Sequence, residues 1–223
     1  MNRLFITGDL HCPLDIEKLE VFNNSNTLDE SDILVILGDA GLLWDDSEER
    51  IEWIKKIENY PFTTFVVAGN HENYDMIERL PKVLKYGAAA RKVHSKLFYD
   101  VRGSVYNFNG RKCLTVSGGN SIDKERRTIG VSWWPQEQIT LNDVDMAKRN
   151  LSLYGNKVDY ILTHVGTRNV VESFGFTSDS CVLAMDEILR DVIYKHHYFG
   201  HYHLDENVSK KQTILYDDFI ELN

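Results

Sequence analysis

Short apolar runs, each ended by glycine and then by a polar cluster, recur in the first third of the chain. They occupy residues 4–7, 33–37 and 64–68. Continuous apolar or β-branched runs of this length predict buried strands. Apolar positions at helical spacing fill the intervals, at residues 15–24 and 47–60. The alternation predicts parallel strands whose polar clusters gather beyond their carboxyl ends.

The pattern becomes more antiparallel in the middle of the chain. Two strand-like runs, residues 104–108 and 112–116, flank Asn109-Gly110, a dipeptide that favours a tight hairpin turn. Thr140 and Asp143 resemble a capping box, which predicts a helix from there to about residue 154. Further strands are predicted at residues 96–99, 160–163, 198–200 and in the tail 213–222, and a further helix at residues 182–194.

This order of elements predicts an α/β protein. Two mixed β-sheets pack together with helices outside, which gives a four-layer αββα sandwich. The sequence contains no internal repeat, no low-complexity tract and no linker rich in Pro, Gly or Ser. We therefore expect one domain over residues 1–223, and a hydrophobic content of 43% is enough for its core.

Composition and charge narrow the class of protein. No stretch approaches the roughly 20 apolar residues of a membrane span, and the first residues enter a strand rather than a signal peptide. We expect a cytoplasmic protein with no membrane partner. Three cysteines without a C-x-x-C pair indicate reduced thiols. A net charge of −9 argues against strong nucleic-acid binding, although a divalent metal pair could still present a cationic pocket to phosphate.

Five polar clusters carry the candidate chemistry. Their potential metal ligands are Asp9, His11, Asp39, Asn70, His164, His201 and His203. A mixed oxygen and nitrogen set suits Mn, Fe, Zn or Ni better than calcium, which prefers oxygen, or a thiolate-bound zinc. Seven ligands exceed the needs of one ion, so we expect two divalent ions bridged by Asp39. Manganese is the first choice.

The charge of this set predicts its reaction. Two carboxylates, one amide and four imidazoles leave two divalent ions undercompensated, so the pocket stays cationic. Such a pocket attracts phosphate, lowers the pKa of bound water and stabilises the extra negative charge of an in-line attack. The residues therefore predict hydrolysis of a phosphoester.

The same clusters, in the same order, resemble the calcineurin-like metallophosphoesterase superfamily, in particular its small bacterial and phage members. The family pattern is Asp-x-His, Gly-Asp, Gly-Asn-His-Asp/Glu, His, Gly-His-x-His, and it spans residues 8–203 here. The resemblance implies the metallo-dependent phosphatase fold and a metal-bridging hydroxide as nucleophile. It also implies one ion on Asp9, His11, Asp39 and His203, and the other on Asp39, Asn70, His164 and His201.

By the same resemblance, His71 assists the leaving group. A carboxylate partner would help His71 stay protonated beside two cations, and Glu72, Asp45 and Asp46 are equal candidates. A phosphate-binding arginine is expected from the Gly-rich segment after residue 117, and Arg127 is our choice. The alternative, a solvated segment whose arginines pair with nearby acids, carries equal weight. Trp133 and Trp134 either shape the pocket or pack this segment onto the body, and packing is favoured.

The second cluster departs from the Ser/Thr protein phosphatases of the superfamily. Their motif continues as Gly-Asp-x-x-Asp-Arg-Gly, whereas Leu42 and Leu43 stand at the Asp-Arg positions here. Protein phosphatase activity is therefore the second choice, behind hydrolysis of a phosphomonoester or phosphodiester. A non-catalytic metal-binding scaffold is a further alternative, disfavoured by the presence of His71. We expect a small phosphate ester or a nucleotide as substrate, and the pattern predicts no oligomeric state.

Overall fold

Two β-sheets packed face to face carry the apolar runs, in a computed structural model that describes residues 2–223. The strands, in chain order, are β1 Leu4–Thr7, β2 Ile33–Ile36, β3 Thr63–Val66, β4 Lys82–Lys85, β5 Ala88–Lys92, β6 Leu97–Tyr99, β7 Val105–Phe108, β8 Arg111–Val116, β9 Tyr160–Thr163, β10 His196–Phe199, β11 Glu206–Ser209, β12 Gln212–Ile214 and β13 Ile220–Leu222. The helices are α1 Lys18–Ser25, α2 Glu48–Glu58, α3 Tyr74–Arg79, α4 Leu141–Ser152, α5 Arg168–Ser173 and α6 Ser180–Leu189. None of these helices, within residues 2–223, is long and apolar enough to cross a membrane.

Both sheets are mixed, as predicted. The first has the strand order β13-β1-β2-β3-β6-β5-β4, and the second has the order β11-β12-β10-β9-β8-β7. Parallel pairing joins β1, β2, β3 and β6 in the first sheet and β8, β9, β10 and β12 in the second. Antiparallel pairs occur only toward the edges of the described sheets.

Alternating side chains divide the apolar residues into three core layers. Val35 of the first sheet and Tyr106 of the second belong to the layer between the sheets. Leu34 points to the opposite face and packs in a layer with residues of α1, α2 and α3. Leu114 packs on the outer face of the second sheet with residues of α4 and α6. Helix, sheet, sheet and helix form the predicted four layers.

Two local predictions are confirmed. Asn109 and Gly110 both adopt positive φ, 52° and 89°, between the antiparallel strands β7 and β8, as a tight two-residue hairpin requires. At the start of α4, the Thr140 side chain accepts a hydrogen bond from the Asp143 backbone N–H. The Asp143 side chain accepts one from the Thr140 backbone N–H in return. This is a complete capping box.

Some elements were not predicted from the sequence. The hairpin of β4 and β5 lies at a sheet edge, and β4 alternates only exposed and half-buried residues, so it lacks an apolar run. Helices α3 and α5 have six residues each, too few to show a helical period. Helix α6 ends at Leu189, earlier than expected, because the following residues turn toward β10.

Five parallel strands deliver the polar clusters to one edge of the sandwich. Strands β1, β2 and β3 of the first sheet are followed by Asp9, Asp39 and Asn70, respectively. Strands β9 and β10 of the second sheet are followed by His164 and His201. Because parallel strands point the same way, their carboxyl ends collect side chains that are distant in sequence. The candidate site therefore lies across the ends of both sheets.

Candidate metal centre

Side chains from all five clusters converge at this edge. Three overlapping groups have ligand atoms within 4.8 Å of one another: Asp9-His11-His203, His11-Asp39-His71 and Asp39-His164-His201. Asp39 joins the two halves, since its Oδ2 lies 3.4 Å from His11 Nε2 and its Oδ1 lies 3.2 Å from His164 Nε2. Asn70 completes the set through its Oδ1. The structure thus brings together all seven side chains that the sequence singled out.

Acceptor atoms face one another around His164. Its Nδ1 lies 2.9 Å from the Leu37 carbonyl oxygen, a contact that needs the N–H on Nδ1. In a neutral ring Nε2 is then an acceptor, yet it lies 3.0 Å from Asn70 Oδ1 and 3.2 Å from Asp39 Oδ1. Nδ1 of His201 lies 3.1 Å from the same Nε2 atom. Lone pairs that point at one another repel, so without a cation Nε2 carries a proton, in keeping with the raised pKa of His164. An imidazole held by a backbone carbonyl beside oxygen ligands fits a transition-metal ion.

Asp9 supplies an independent sign of a cation site. Its Oδ1 accepts a hydrogen bond from the His201 backbone N–H at 3.0 Å. Its Oδ2 is buried and has no hydrogen-bond partner among the described residues, with Nε2 of His203 at 3.3 Å and Nε2 of His11 at 3.9 Å. A buried carboxylate oxygen without a partner is costly. Coordination of a cation would remove that cost, so the residues present fit divalent ions.

Four of the seven side chains stand on left-handed backbone. His11, Asp39, His201 and His203 have φ values of 41°, 45°, 73° and 51°. This conformation is unfavourable for residues with a Cβ, and it persists only where surrounding structure enforces it. Its concentration in one cluster indicates that the chain accepts local strain in order to aim these groups inward.

Glycines beside the clusters let the loops approach one another closely. A Cβ on Gly38 would overlap the ring of His164, and one on Gly200 would overlap the carboxylate of Asp9. Both glycines directly precede a ligand loop, so the space that a side chain would fill is occupied by ligands from other strands. Steric crowding therefore explains why glycine, and no residue with a side chain, stands at these two positions.

Burial and charge act in opposite directions on the pKa values of this cluster. Burial alone would lower the pKa of His164, but the carboxylates of Asp39 and Asp9 outweigh it and raise the pKa to about 9. Burial would raise the pKa of Asp39, but the neighbouring His164 and His11 hold it well below the ordinary value. Burial, reinforced by His164, lowers the pKa of His201 to about 4. His201 is therefore neutral near pH 7, the state in which imidazole binds metals.

His71 lies beside the ligands and against Arg127. Its backbone N–H donates to Asp39 Oδ1 at 2.7 Å, and its Nε2 lies 3.3 Å from a terminal guanidinium nitrogen of Arg127. Burial lowers the pKa of His71, Asp39 opposes this, and the charge of Arg127 lowers it further. Arg127 Nε also pairs with Asp123 Oδ1 at 2.7 Å. Both expectations for Arg127 therefore describe part of its position, since it reaches the site and pairs with an acid.

Of the three acids proposed as partners of His71, two lie in other contacts and the third is exposed. Glu72 is buried, and its Oε1 accepts from the Ala40 backbone N–H at 2.8 Å, which holds the loop after Asp39. Burial, and then repulsion from Asp39, raises the pKa of Glu72 to about 8. Asp45 pairs with Arg50 at 3.0 Å, and Asp46 is exposed. The carboxylate that lies beside His71 is Asp39, whereas Asp123 pairs with Arg127.

Two tryptophans support the region of His71. The Trp44 ring stacks near the His71 ring, with centroids 6.0 Å apart and planes at 26°. Trp134 packs edge-on against Trp44 at 5.2 Å, is buried, and donates from Nε1 to Asp75 Oδ2 at 3.2 Å. Trp134 therefore packs the segment after residue 117 onto the body of the protein, which is the role that the sequence favours for the tryptophans. Sequence reasoning missed Trp44, although it follows the Gly38-Asp39 cluster closely.

A second residue pair that sequence reasoning missed orients Asn70. The Asn70 Nδ2 group donates to Ser121 Oγ at 3.3 Å, which turns Oδ1 toward His164. Ser121 donates from its backbone N–H at 2.7 Å and from Oγ at 2.8 Å to the buried carboxylate of Glu137. No local signal marks Glu137, because its partners are brought to it only by the fold.

Two clefts open from the centre. The larger, here called the Phe176 cleft, has a volume of about 580 Å³ and is lined by Asn70, His71, Arg127, Ile122, Phe176 and Tyr202 among others. The smaller, here called the Trp44 cleft, has a volume of about 310 Å³ and is lined by His11, Cys12, Pro13, Leu14, Gly41, Trp44, Arg50 and His71. Volumes near and above 300 Å³ are typical of small-molecule sites.

The four layers and the strand-end cluster define this chain as a protein of the metallo-dependent phosphatase fold with a candidate metal centre. A sequence profile described as calcineurin-like phosphoesterase matches residues 3–205. The chain belongs to the calcineurin-like phosphoesterase family. The resemblance read from the five clusters is therefore confirmed.

The solved structures that match this chain are remote in sequence. One is a phosphopantetheinyl hydrolase from Mycobacterium tuberculosis, 17% identical, covering 96% of this chain and 88% of that chain with a TM-score of 0.46. Another is a protein of unknown function from Aquifex aeolicus, 15% identical, covering 83% of this chain and 92% of that chain with a TM-score of 0.36. No curated protein sequence matches this chain. Neither structure bears on the substrate.

Proposed function

We propose that the chain is a metal-dependent phosphoesterase that uses a two-ion centre, with His71 assisting the leaving group. The observation that carries the proposal is the position of Asp39. Its two carboxylate oxygens face His11 at 3.4 Å and His164 at 3.2 Å, and thereby connect two groups of potential ligands. Membership of the calcineurin-like phosphoesterase family supports the same class of reaction.

In this proposal Asp9, His11, Asp39 and His203 hold one ion, and Asp39, Asn70, His164 and His201 hold the other. The unpartnered Asp9 Oδ2 supports the first ion site. The oxygen atoms that point at His164 Nε2 support the second. Two divalent ions bound here would lower the pKa of water and offset the charge of the phosphate. Manganese is the preferred pair, with iron, zinc and nickel as alternatives.

Arg127 and His71 then act on the ester itself. In the structure Nε2 of His71 and a guanidinium nitrogen of Arg127 lie 3.3 Å apart, so both reach one point beside the centre. Arg127 would bind a non-bridging phosphate oxygen, with Asp123 holding its Nε side. In the structure Nε2 of His71 accepts from Arg127 and is therefore unprotonated. With Arg127 on the phosphate, Nε2 would be free to take up a proton and pass it to the ester oxygen of the leaving group.

The proposal is tested with chelator-treated protein to which Mn²⁺ is added back. We expect release of nitrophenolate from 4-nitrophenyl phosphate, from bis(4-nitrophenyl) phosphate or from both, with two Mn²⁺ per chain by elemental analysis. Protein that binds Mn²⁺ but hydrolyses neither ester would favour the non-catalytic scaffold. Protein that binds no divalent ion would overturn the proposal.

Protein phosphatase activity has no specific support in the structure. At the two positions where Ser/Thr protein phosphatases carry their acid and arginine, Leu42 and Leu43 are buried in the apolar layer under α1, α2 and α3. A buried apolar pair cannot supply either the acid partner of a histidine or a phosphate grip. We therefore propose a small phosphate ester or nucleotide as substrate instead.

A further inference from the structure

We infer that the substrate is a phosphodiester with an organic substituent on each side of the phosphate, one in the Phe176 cleft and the other in the Trp44 cleft. This inference rests on the proposed function and names its class of substrate. A phosphomonoester has one substituent and needs one cleft. The structure provides two, and both begin at the proposed catalytic histidine.

The geometry of the two clefts fits a diester. Of their described lining residues, His71 alone is common to both, so the clefts leave the centre in different directions. In an in-line displacement the leaving group departs opposite the attacking oxygen, while a second substituent lies to the side. A diester bound at His71 therefore needs two separate spaces for its two organic groups.

The walls of both clefts suit organic groups rather than ions. The Phe176 cleft presents Ile122, Phe176 and Tyr202, and the last two rings lie 4.9 Å apart. The Trp44 cleft presents Leu14 and the Trp44 ring. Ile122 and Leu14 are 96% and 79% exposed, so each offers apolar surface that a bound substituent would cover.

The charge around the phosphate position also favours a diester. A monoester is a dianion near neutral pH, whereas a diester carries one negative charge. Arg127 pairs with Asp123 at 2.7 Å, and Asp179 lines the same cleft. In the Trp44 cleft, Arg50 pairs with Asp45 at 3.0 Å and donates to the carbonyls of Gly41 and Cys12. Outside the metal centre, neither cleft offers an uncompensated cation for a second phosphate charge.

Three probes with one leaving group test the inference. 4-Nitrophenyl phosphate has no second substituent, ethyl 4-nitrophenyl phosphate has a small one, and bis(4-nitrophenyl) phosphate has an aromatic one. Since nitrophenolate leaves in every case, the two diesters compare only the second substituent. With Mn²⁺-loaded protein we expect kcat/KM for the bis ester to exceed that for the ethyl ester by about tenfold. This ratio corresponds to roughly 1.4 kcal/mol from burial of the additional apolar area of the aromatic substituent. We also expect the monoester to be the poorest of the three.

Variants then assign the clefts. Leu14→Gln and Ile122→Gln remove apolar wall without adding a carboxylate near the metals, and both sites are exposed enough to keep the fold. The variant in the cleft of the second substituent should lower the ratio of bis-ester to ethyl-ester kcat/KM by about fivefold, because less apolar area is covered. The variant in the cleft of the leaving group should lower kcat/KM for all three esters alike. Leu153→Gln, at a site 80% exposed on another surface, is the matched control and should leave the ratio unchanged.

The outcomes separate this inference from the proposed function. A higher kcat/KM for the monoester than for both diesters would overturn the diester inference and leave the phosphoesterase standing. Equal ratios in the three variants would also overturn it, since the clefts would then hold no substituent. Failure to hydrolyse any of the three esters would instead count against the proposed function.

Discussion

The metal centre and the polar cluster around Arg102 are both buried, yet their polar groups are arranged in opposite ways. In the metal centre the oxygens of Asn70 and Asp39 both point at Nε2 of His164, where a proton or a cation must lie between them, and Asp9 Oδ2 has no partner among the described residues. Around Arg102, most donors meet acceptors: the terminal guanidinium nitrogens donate to the carbonyls of Gln136 and Gln138 and to Asp143, at 2.7–3.0 Å, while Nε has no partner among the described residues. A group of acceptors aimed at one point indicates a cationic ligand, whereas donors paired with acceptors hold the fold.

The Arg102 cluster still serves the centre indirectly. By binding the carbonyls on both sides of Glu137, Arg102 fixes the segment whose Glu137 carboxylate holds Ser121. Asp100 lies beside it and accepts from Thr115 Oγ1 at 2.9 Å and from the Ala68 backbone N–H at 3.3 Å. Changes in the metal centre should therefore affect catalysis, whereas changes in the Arg102 cluster should affect stability.

The largest expected effect on activity comes from Asp39→Asn. This change removes the carboxylate that faces both halves of the centre, so we expect kcat/KM to fall by about 10³ or more, on the scale of lost electrostatic stabilisation. The stabilisation of the protein by added Mn²⁺ should fall with it, as measured by thermal unfolding with and without the metal. Asp191→Asn, at an exposed site, is the control. If Asp39→Asn retained full activity, the catalytic centre could not be the one that contains Asp39.

His71→Gln should have the next largest effect. We expect kcat to fall by about 10², the usual contribution of a positioned proton donor, while the Mn²⁺ content stays the same. His94→Gln, at a half-buried histidine in the loop between β5 and β6, is a matched control for loss of an imidazole. If His71→Gln also loses a metal ion, His71 is a ligand, as its proximity to His11 and Asp39 would allow.

Ser121→Ala should produce a smaller effect through Asn70. Without the Ser121 hydroxyl, the Asn70 amide is no longer turned toward His164, and we expect affinity for one of two metal ions to fall by about tenfold. Titration of chelator-treated protein with Mn²⁺ measures this change. Ser152→Ala, a hydroxyl bonded only within its own helix turn, is the control. Equal weakening of both ions would contradict a role specific to Asn70.

Asp100→Asn should have the smallest effect on activity, within about twofold, but should change the pH dependence of stability. Burial is the main reason that the pKa of Asp100 is raised to about 6 in the folded protein. A raised carboxyl pKa stabilises the folded state at low pH, and that contribution is lost as the pH rises through about 6. From about pH 5 to about pH 7, wild-type stability should fall by roughly 1.4 kcal/mol relative to Asp100→Asn.

Urea unfolding of the metal-free wild type and Asp100→Asn at several pH values measures that difference. Metal-free protein is needed because metal binding has its own pH dependence. A parallel pH profile for the two proteins would show that Asp100 is ionised as readily when folded as when unfolded. Such a result would weaken the distinction between the two buried regions.

Much of the fold could be predicted because its signals are local. The apolar runs of β1, β2 and β3, the Asn109-Gly110 turn and the Thr140 capping box each depend on neighbours in sequence. The β4 and β5 hairpin has no such signal, because it is stabilised by pairing at the edge of an existing sheet. Secondary structure of that kind follows from tertiary contacts rather than local preference.

The candidate site divides in the same way. Its proposed ligands could be named in advance because each one lies within four residues of a strand end and in a short motif with glycine or histidine. The partner of His71 could not, since Glu72, Asp45 and Asp46 all look suitable in sequence. In the structure Glu72 holds a backbone loop and Asp45 pairs with Arg50, while Asp39 is the carboxylate that lies beside His71.

The sequence by itself determined the fold class, the family and the seven side chains that converge, because strand ends and short motifs are written in neighbouring residues. Tertiary structure alone decided what surrounds those side chains. Trp44 meets His71, Ser121 and Glu137 orient Asn70, and two clefts open from one histidine only after both sheets have packed. Such contacts join residues far apart in the chain, so no local pattern encodes them.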